Sequence, residues 1–340
     1  MSDRGRSWSR REFVGGLVLG GTGGFLAAGV GDVAAADSPL ETTRLRVLRT
    51  PSICEAPAQV AETLLATEGF TEVQYVQVAG SVAAIKGLVA GEVDVGLLAI
   101  PGTVLRIDAG DPLVVLGGVH AGCFELFGSD RVRSVRDLKG KAVAIPGLGT
   151  NQHAYVAMIA AHVGLDPHTD LDWQVHRGAE AMRLLAEGKV DGFIGFPPEP
   201  QELRAKKIGH TLVSTTADKP WAQYFCCMIT ASREFVRKHP VATKRAMRAI
   251  FKADAVCALE ATRVTQLMVE RGYTANRDLA GRTLREIPYG RWRQHDAEDT
   301  VRFFALRLNE AGMIKSTPQK IIAQGTDWRF LKELKSELKG

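Results

Sequence analysis

Beyond its first 36 residues the chain has no stretch long and apolar enough to span a membrane, and it has no low-complexity tract. A spanning helix is therefore not expected in the body of the protein. Clustered basic charge is missing as well. The formal net charge is +5, and setting aside residues 1–36, with four Arg against two Asp and one Glu, leaves +4, scattered along the chain. Nucleic-acid binding gains no support from that distribution. No H-E-x-x-H, no Ser-His-Asp order and no phosphate-binding loop occurs, and "GLGTNQ" lacks the G-K-[ST] ending of a nucleotide loop. The five cysteines show no zinc-ligand spacing, so neither a metal nor a cofactor is expected. Cys226 and Cys227 are adjacent, with Cα atoms about 3.8 Å apart, too close for an ordinary disulfide. Cys54, Cys123 and one of that pair can meet across a cleft, but an odd count leaves a free thiol, and the plainer reading is small buried apolar residues.

What the chain does contain is the composition of a folded protein, 45% hydrophobic and 24% charged over 340 residues, enough for two lobes. The first 36 residues read as an export address. Arg10 and Arg11 lie between Ser9 and Phe13, a glycine-rich apolar run follows, and Ala34-Ala35-Ala36 offers a cleavage site before Asp37. The S-R-R-x-F pattern resembles a twin-arginine signal. Its glycines and Asp32 argue against a membrane anchor, and no cysteine follows the site for lipid attachment. The expected location is the periplasm.

From residue 43 onward, alternating segments read as strands and 3.6-period segments as helices. "TRLRVLRT", "TEVQYVQVAG", "VDVGLLAI" and "LVVLGGVHAGCFELFGS" are expected strands separated by helices, which predicts a largely parallel sheet covered on both faces. The pattern then restarts with "KAVAIPG", "LDWQVHR" and "KVDGFIGFP". Ser134 is expected to cap a short helix, and Thr326 to cap the closing helix "DWRFLKELKSEL". The helices after "QYFCCMITAS" are expected to pack onto one lobe. A repeat supports two equivalent units: "LVAGEVDVGLLA" returns as "LLAEGKVDGFIG", and Asp94 and Asp191 align as turn residues at a strand entry.

Several ordered segments together resemble the substrate-binding proteins of bacterial ABC importers, in the sulfonate/nitrate/taurine group that includes binders of the thiamine-precursor pyrimidine. They are "RTPSICEAP", "GSVAAIKGLVAGEVDVGLLA", "GGVHAGCFELFGSD", "VRDLKGKAVAIPGLGTNQH", "AMRLLAEGKVDGFIGFPPEP" and "YFCCMITASREFVRKHP". The resemblance implies an α/β protein of two lobes (the type II periplasmic-binding-protein fold), each a mainly parallel sheet flanked by helices, with the ligand cleft between. It also implies crossings near 120–130 and 220–228. The lobes would run 37–126, 127–224 and, returning to the first, 225–340. A monomer that performs no chemistry and hands a small organic or anionic ligand to an inner-membrane ABC permease is what this family implies.

Ligands of open α/β sheets lie at the carboxyl ends of the strands, which selects loops without appeal to any family. In the first lobe these bring Ser52, Cys54 and Glu55, then Gly80 and Ser81 at a helix start, then Pro101 and Thr103. In the second lobe Gly149, Thr150 and Asn151 open a helix as a nest of donors, and Phe196 and Glu199 follow "GFIG". His120, Trp221 and Tyr224 lie beside the implied crossings and are candidates for donating to or covering a ligand. Two other readings compete. One is a pyrimidine-synthase-like enzyme of thiamine biosynthesis, disfavoured because "FCCMI" has two adjacent cysteines only and the nearest lysines, Lys86 and Lys219, fall outside the cleft loops. The other is a periplasmic ligand sensor.

Overall fold

The strands of the computed structural model, which describes residues 38–338, form two five-stranded sheets. In chain order they are β1 (Arg44–Arg49), β2 (Glu72–Gln77), β3 (Val95–Ala99), β4 (Leu113–Ala121), β5 (Glu125–Gly128), β6 (Lys141–Ile145), β7 (Leu171–Val175), β8 (Gly192–Gly195), β9 (His210–Ser214) and β10 (Phe225–Ser232). The export signal expected over 1–36, with its cleavage site, lies outside the described residues. Among the described residues no helix is long and apolar enough to cross a membrane.

The sheet orders are β2-β1-β3-β10-β4 and β7-β6-β8-β5-β9, and the two match strand for strand. In each, three parallel strands come from β-α-β units, whose crossover helices cover the faces. The fourth strand of each sheet runs antiparallel to its neighbours because it arrives from the other sheet: β10 enters the first, β5 the second. The inner strands β3, β8 and β10, and β4 at the edge of the first sheet, are apolar almost throughout and buried, as expected where helices pack on both sides.

Two details depart from the sequence reading. "LVVLGGVHAGCFELFGS" is not one strand. It breaks after Ala121, Gly122 turns at φ +55°, and β5 begins in the second sheet at Glu125. Both halves are buried on both faces, so no change of alternation marks the break. The second crossing runs from Thr215 to Tyr224, and Thr215 ties it to the first. Its Oγ1 accepts the N–H groups of Cys123 and Phe124 at 3.0 and 2.9 Å, and its own N–H donates to the Phe124 carbonyl at 2.9 Å. The other departure is Thr326, which ends the helix Pro318–Gly325 instead of opening the last one. Its hydroxyl donates to the Ile322 carbonyl at 2.8 Å and its backbone bridges to Val115, while Trp328 is the residue that precedes Arg329–Glu337.

The repeated Val-Asp pair has a role other than turning the chain. Asp94 accepts from the Arg46 backbone N–H at 2.7 Å and from its guanidinium at 3.1 and 2.6 Å. Asp191 accepts from Arg131 at 2.8 Å and Ser129 at 3.2 Å. Both carboxylates are buried at the entry of a central strand, and both N–H groups donate to the neighbouring parallel strand, at Arg46 and Ala142. The first ion pair pins β3 to β1, and the second pins the entry of β8 to the loop that follows β5. Asp94→Ala strands the partly buried Arg46 and is expected to cost about 2 kcal/mol, less than a fully buried pair because Arg46 reaches water. A urea titration checks this; a loss below about 0.5 kcal/mol would mean that the pair is merely superficial.

The C-terminal helices touch both lobes instead of one. Helix Ala297–Glu310 packs on Ile100–Asp108 and also on Asn151–His162, where Phe304 meets Tyr155 edge-on at 5.8 Å. Glu286 receives Gln201 from the second lobe at 2.8 Å and pairs with Arg204.

Candidate functional site

The carboxyl ends of the parallel strands of both sheets open on one cleft of about 510 Å³. Loops after β1 and β2 line it from one side, and the starts of helices Asn151–His162, Gly178–Ala186 and Glu199–Lys206 from the other. The loop after β1 is held by Gln59, whose Nε2 donates to the carbonyls of Thr50 and Ser52 at 3.0 and 3.1 Å. It presents Glu55, which accepts from the Thr50 hydroxyl at 2.7 Å. Burial pushes the Glu55 acid well above the ordinary carboxylate range. On the facing side burial raises Glu199 to about 7, partly offset by the Phe196 N–H that it accepts at 3.3 Å. Gly178 leaves room for that carboxyl: a Cβ there would lie 1.9 Å from Glu199 Oε1. Phe124 forms an apolar wall with Phe196 and Tyr155, ring centroids 5.7 and 4.4 Å away.

Of the residues expected at the site, Ser52, Cys54, Glu55, Gly80, Ser81, Thr150, Asn151, Phe196 and Glu199 line this cleft. Several are already engaged. The Ser52 hydroxyl and the Cys54 thiol lie 2.9 Å apart. Thr150 is the N-cap of its helix: its hydroxyl donates to the Gly147 carbonyl at 2.7 Å and receives the His153 N–H at 3.4 Å. Asn151 reaches across to the first lobe, where its Oδ1 accepts the Gly102 N–H at 2.7 Å. A Cβ at position 102 would sit 2.5 Å from that oxygen, so this lobe-to-lobe bond requires glycine.

The other expected residues lie off the lining. Pro101 and Thr103 are buried in the first turn of a helix, Thr103 donating to the Ala99 carbonyl at 3.1 Å. Gly149 donates to His153 Nδ1 at 3.0 Å, and burial lowers His153 to about 4, keeping it a neutral acceptor. Trp221 is buried edge-on against His162 and Phe303, and Tyr224 stacks on Phe303 at 3.9 Å, so both anchor the second crossing to the helix Ala297–Glu310. His120 is fully buried beneath the cleft.

Sequence reasoning missed the two cations of the cleft. Lys86 and Arg177 line it from opposite lobes, both exposed, and neither forms an ion pair among the described residues. The strand-end rule applied to β7 selects Arg177 directly, because "LDWQV" runs into the helix beginning at Gly178. Lys86 follows Val82 by one helical turn, a spacing visible in the sequence. With both carboxyls drawn toward their neutral forms, the site as built is cationic.

Residues 38–270 match the NMT1-like family. No curated protein matches the chain in sequence. Among solved structures it resembles the alkanesulfonate-binding protein SsuA of Xanthomonas axonopodis pv. citri bound to MOPS, at 17% identity and TM-score 0.69, over 84% of this chain and 99% of that one. The periplasmic nitrate-binding protein NrtA of Synechocystis PCC 6803 superposes with TM-score 0.74 at 14% identity, over 89% and 90%. The periplasmic aliphatic sulphonate binding protein SsuA of Escherichia coli does so with TM-score 0.64 at 17% identity, over 80% and 86%. At these identities the likeness establishes the fold, an α/β periplasmic-binding-protein architecture of two sheets. These neighbours are binding proteins.

Proposed function

The chain belongs to the NMT1-like family, and from that premise we propose that it is an extracytoplasmic solute-binding protein. It takes one small organic anion per chain and delivers it, as a monomer without chemical turnover, to the permease of an ABC importer. One observation carries this reading: a cleft lined by both lobes sets Lys86 and Arg177, without an ion pair among the described residues, on opposite sides, with Glu55 and Glu199 held toward neutrality. Phe124 and Phe196 beside them suit an apolar body attached to the charged head. Solved structures of the same fold include binders of alkanesulfonates and nitrate, a chemistry consistent with this charge arrangement. The N-terminal address places the protein in the periplasm through a twin-arginine route with cleavage after Ala36. Replacing Arg10 and Arg11 by lysine is expected to retain it in the cytoplasm.

A thermal-shift screen of alkanesulfonates, carboxylates, aromatic acids, nitrate and pyrimidines tests the reading. A ligand at about 100 times its Kd adds about 2.7 kcal/mol to stability, a shift of the melting point that is easily seen. If no anion moves the melting point and a neutral solute does, the assignment of an anionic ligand fails.

A further inference from the structure

Beneath the cleft floor the fold gathers four cysteines and a histidine from four separate segments. Cys54 comes from the loop after β1, His120 from the end of β4, Cys123 from the first crossing, and Cys226 with Cys227 from β10. All five are buried. We infer that Cys54, His120 and Cys227 form a binding site for one thiophilic d10 metal ion, Zn(II) or Cu(I).

The geometry carries the assignment. The ligand atoms of Cys54, His120 and Cys227 lie within 4.8 Å of one another, and a tetrahedral ion needs its sulfur ligands about 3.8 Å apart. Only a small contraction separates the arrangement from a coordination shell. The histidine is prepared in the usual way of a metal ligand. Nδ1 faces the Gly122 carbonyl at 3.0 Å, which orients the ring and leaves Nε2 as the nitrogen open to a further partner. Nε2 is buried and has no hydrogen-bond partner among the described residues, a costly state for an imidazole nitrogen that a bound cation would relieve. The ring is further fixed by Tyr289, edge-on at 5.4 Å, whose hydroxyl donates to the Cys54 carbonyl at 3.0 Å. Two thiolates and an imidazole are the ligand chemistry of zinc and of monovalent copper. A second thiol set, Cys123 and Cys226 with sulfurs 3.0 Å apart, shares Cys227 and adjoins the first. Cys54 and Cys227 also line the cleft, so an ion held here would keep a coordination position toward it. Because the ligands come from distant parts of the chain, no spacing motif announces them. The inference does not depend on which solute the cleft takes.

The test uses the full chain as exported, stripped of metal by chelator and kept reduced. Zn(II) is titrated against a chromophoric chelator, and Cu(I) against a copper(I)-specific one. Expected is one equivalent of at least one of the two ions, with affinity falling about 100-fold or more in Cys54→Ser, Cys227→Ser and His120→Asn. Cys257→Ser, buried apart from the cluster, is expected to bind as the parent does. Should the variants fold poorly, Co(II) added to the unaltered chain reads the site directly: an intense sulfur-to-cobalt charge-transfer band supports thiolate ligation. Sub-stoichiometric binding of both metals, undiminished affinity in the three variants, or a cobalt spectrum without that band would each overturn the proposal.

Discussion

Gly122→Ala is expected to destabilise the protein by about 3 kcal/mol and to abolish solute binding with it. Gly122 is where the chain leaves the first sheet. Its φ of +55° lies in the left-handed region, which costs an L-residue about 1–2 kcal/mol. The added Cβ would also meet Thr216 Cα at 2.4 Å, with the Thr215 carbonyl oxygen and the Thr216 nitrogen at 2.5 Å. These are backbone atoms of the second crossing and cannot rotate away, so relief requires separating the two crossings, at a further cost of about 1–3 kcal/mol. That separation breaks the bonds that Thr215 makes to Cys123 and Phe124. Phe124 forms a wall of the cleft, so the damage reaches the ligand. Gly140→Ala is the matched control. It has φ +68° but no atom within 4 Å of the added Cβ, so only the conformational cost of about 1–2 kcal/mol remains. Urea unfolding of the two variants separates the contributions. Equal losses would show that the crossings accommodate the methyl group and that the backbone contact is unimportant.

The contrast between these two glycines shows what was legible in the sequence and what was not. Gly122 falls inside a segment that reads as one strand and Gly140 just before the expected strand "KAVAIPG", and neither reading shows what a methyl group there would meet. Only the contact across 94 residues distinguishes them, and pattern along a chain carries no record of such a contact. What depends on local periodicity was legible: the α/β alternation, the restart after residue 130, and the equivalence of the two Val-Asp units. The repeat sets an aspartate at the same strand entry twice, which reads as a turn, and the buried ion pairs stay hidden because their arginine partners follow no common spacing. Arg46 lies on the neighbouring strand, Arg131 in a loop. The rule that ligands sit at strand ends reached most of one wall of the cleft and parts of the other. It passed over Arg177 through incomplete use, and over Lys86 because helix residues one turn in also face a cleft. Trp221 and Tyr224 mark the opposite error. Nearness in sequence to a crossing does not decide which side a ring takes, and here helix Ala297–Glu310 offers Phe303 as the better partner. The cysteine cluster lay furthest from view, because its members meet only once both sheets have formed.

Arg177→Ala and Lys86→Ala are each expected to weaken binding of an anionic solute about 10- to 100-fold, with little change in the stability of the ligand-free chain. A hydrogen bond to a charged group contributes about 1.5–3 kcal/mol, and each tenfold in affinity corresponds to about 1.4 kcal/mol. Neither side chain forms an ion pair among the described residues, so truncating either leaves no buried partner stranded. The same cleft predicts a pH dependence. Glu199 is neutral below about 7 and ionised above it, because burial raises its acid. Ionisation places a negative charge beside the bound anion, so affinity is expected to fall as pH rises through about 7. Glu55, held well above the ordinary range, adds no opposite trend near neutrality. Glu199→Gln removes the titrating group and is expected to keep the low-pH affinity across the range. Isothermal titration calorimetry of parent and variants between about pH 6 and about pH 8 checks both the sign and its source. A profile that survives in Glu199→Gln would assign the titration to another group, and parental affinity in both cation variants would mean that the solute is held by other contacts in the cleft.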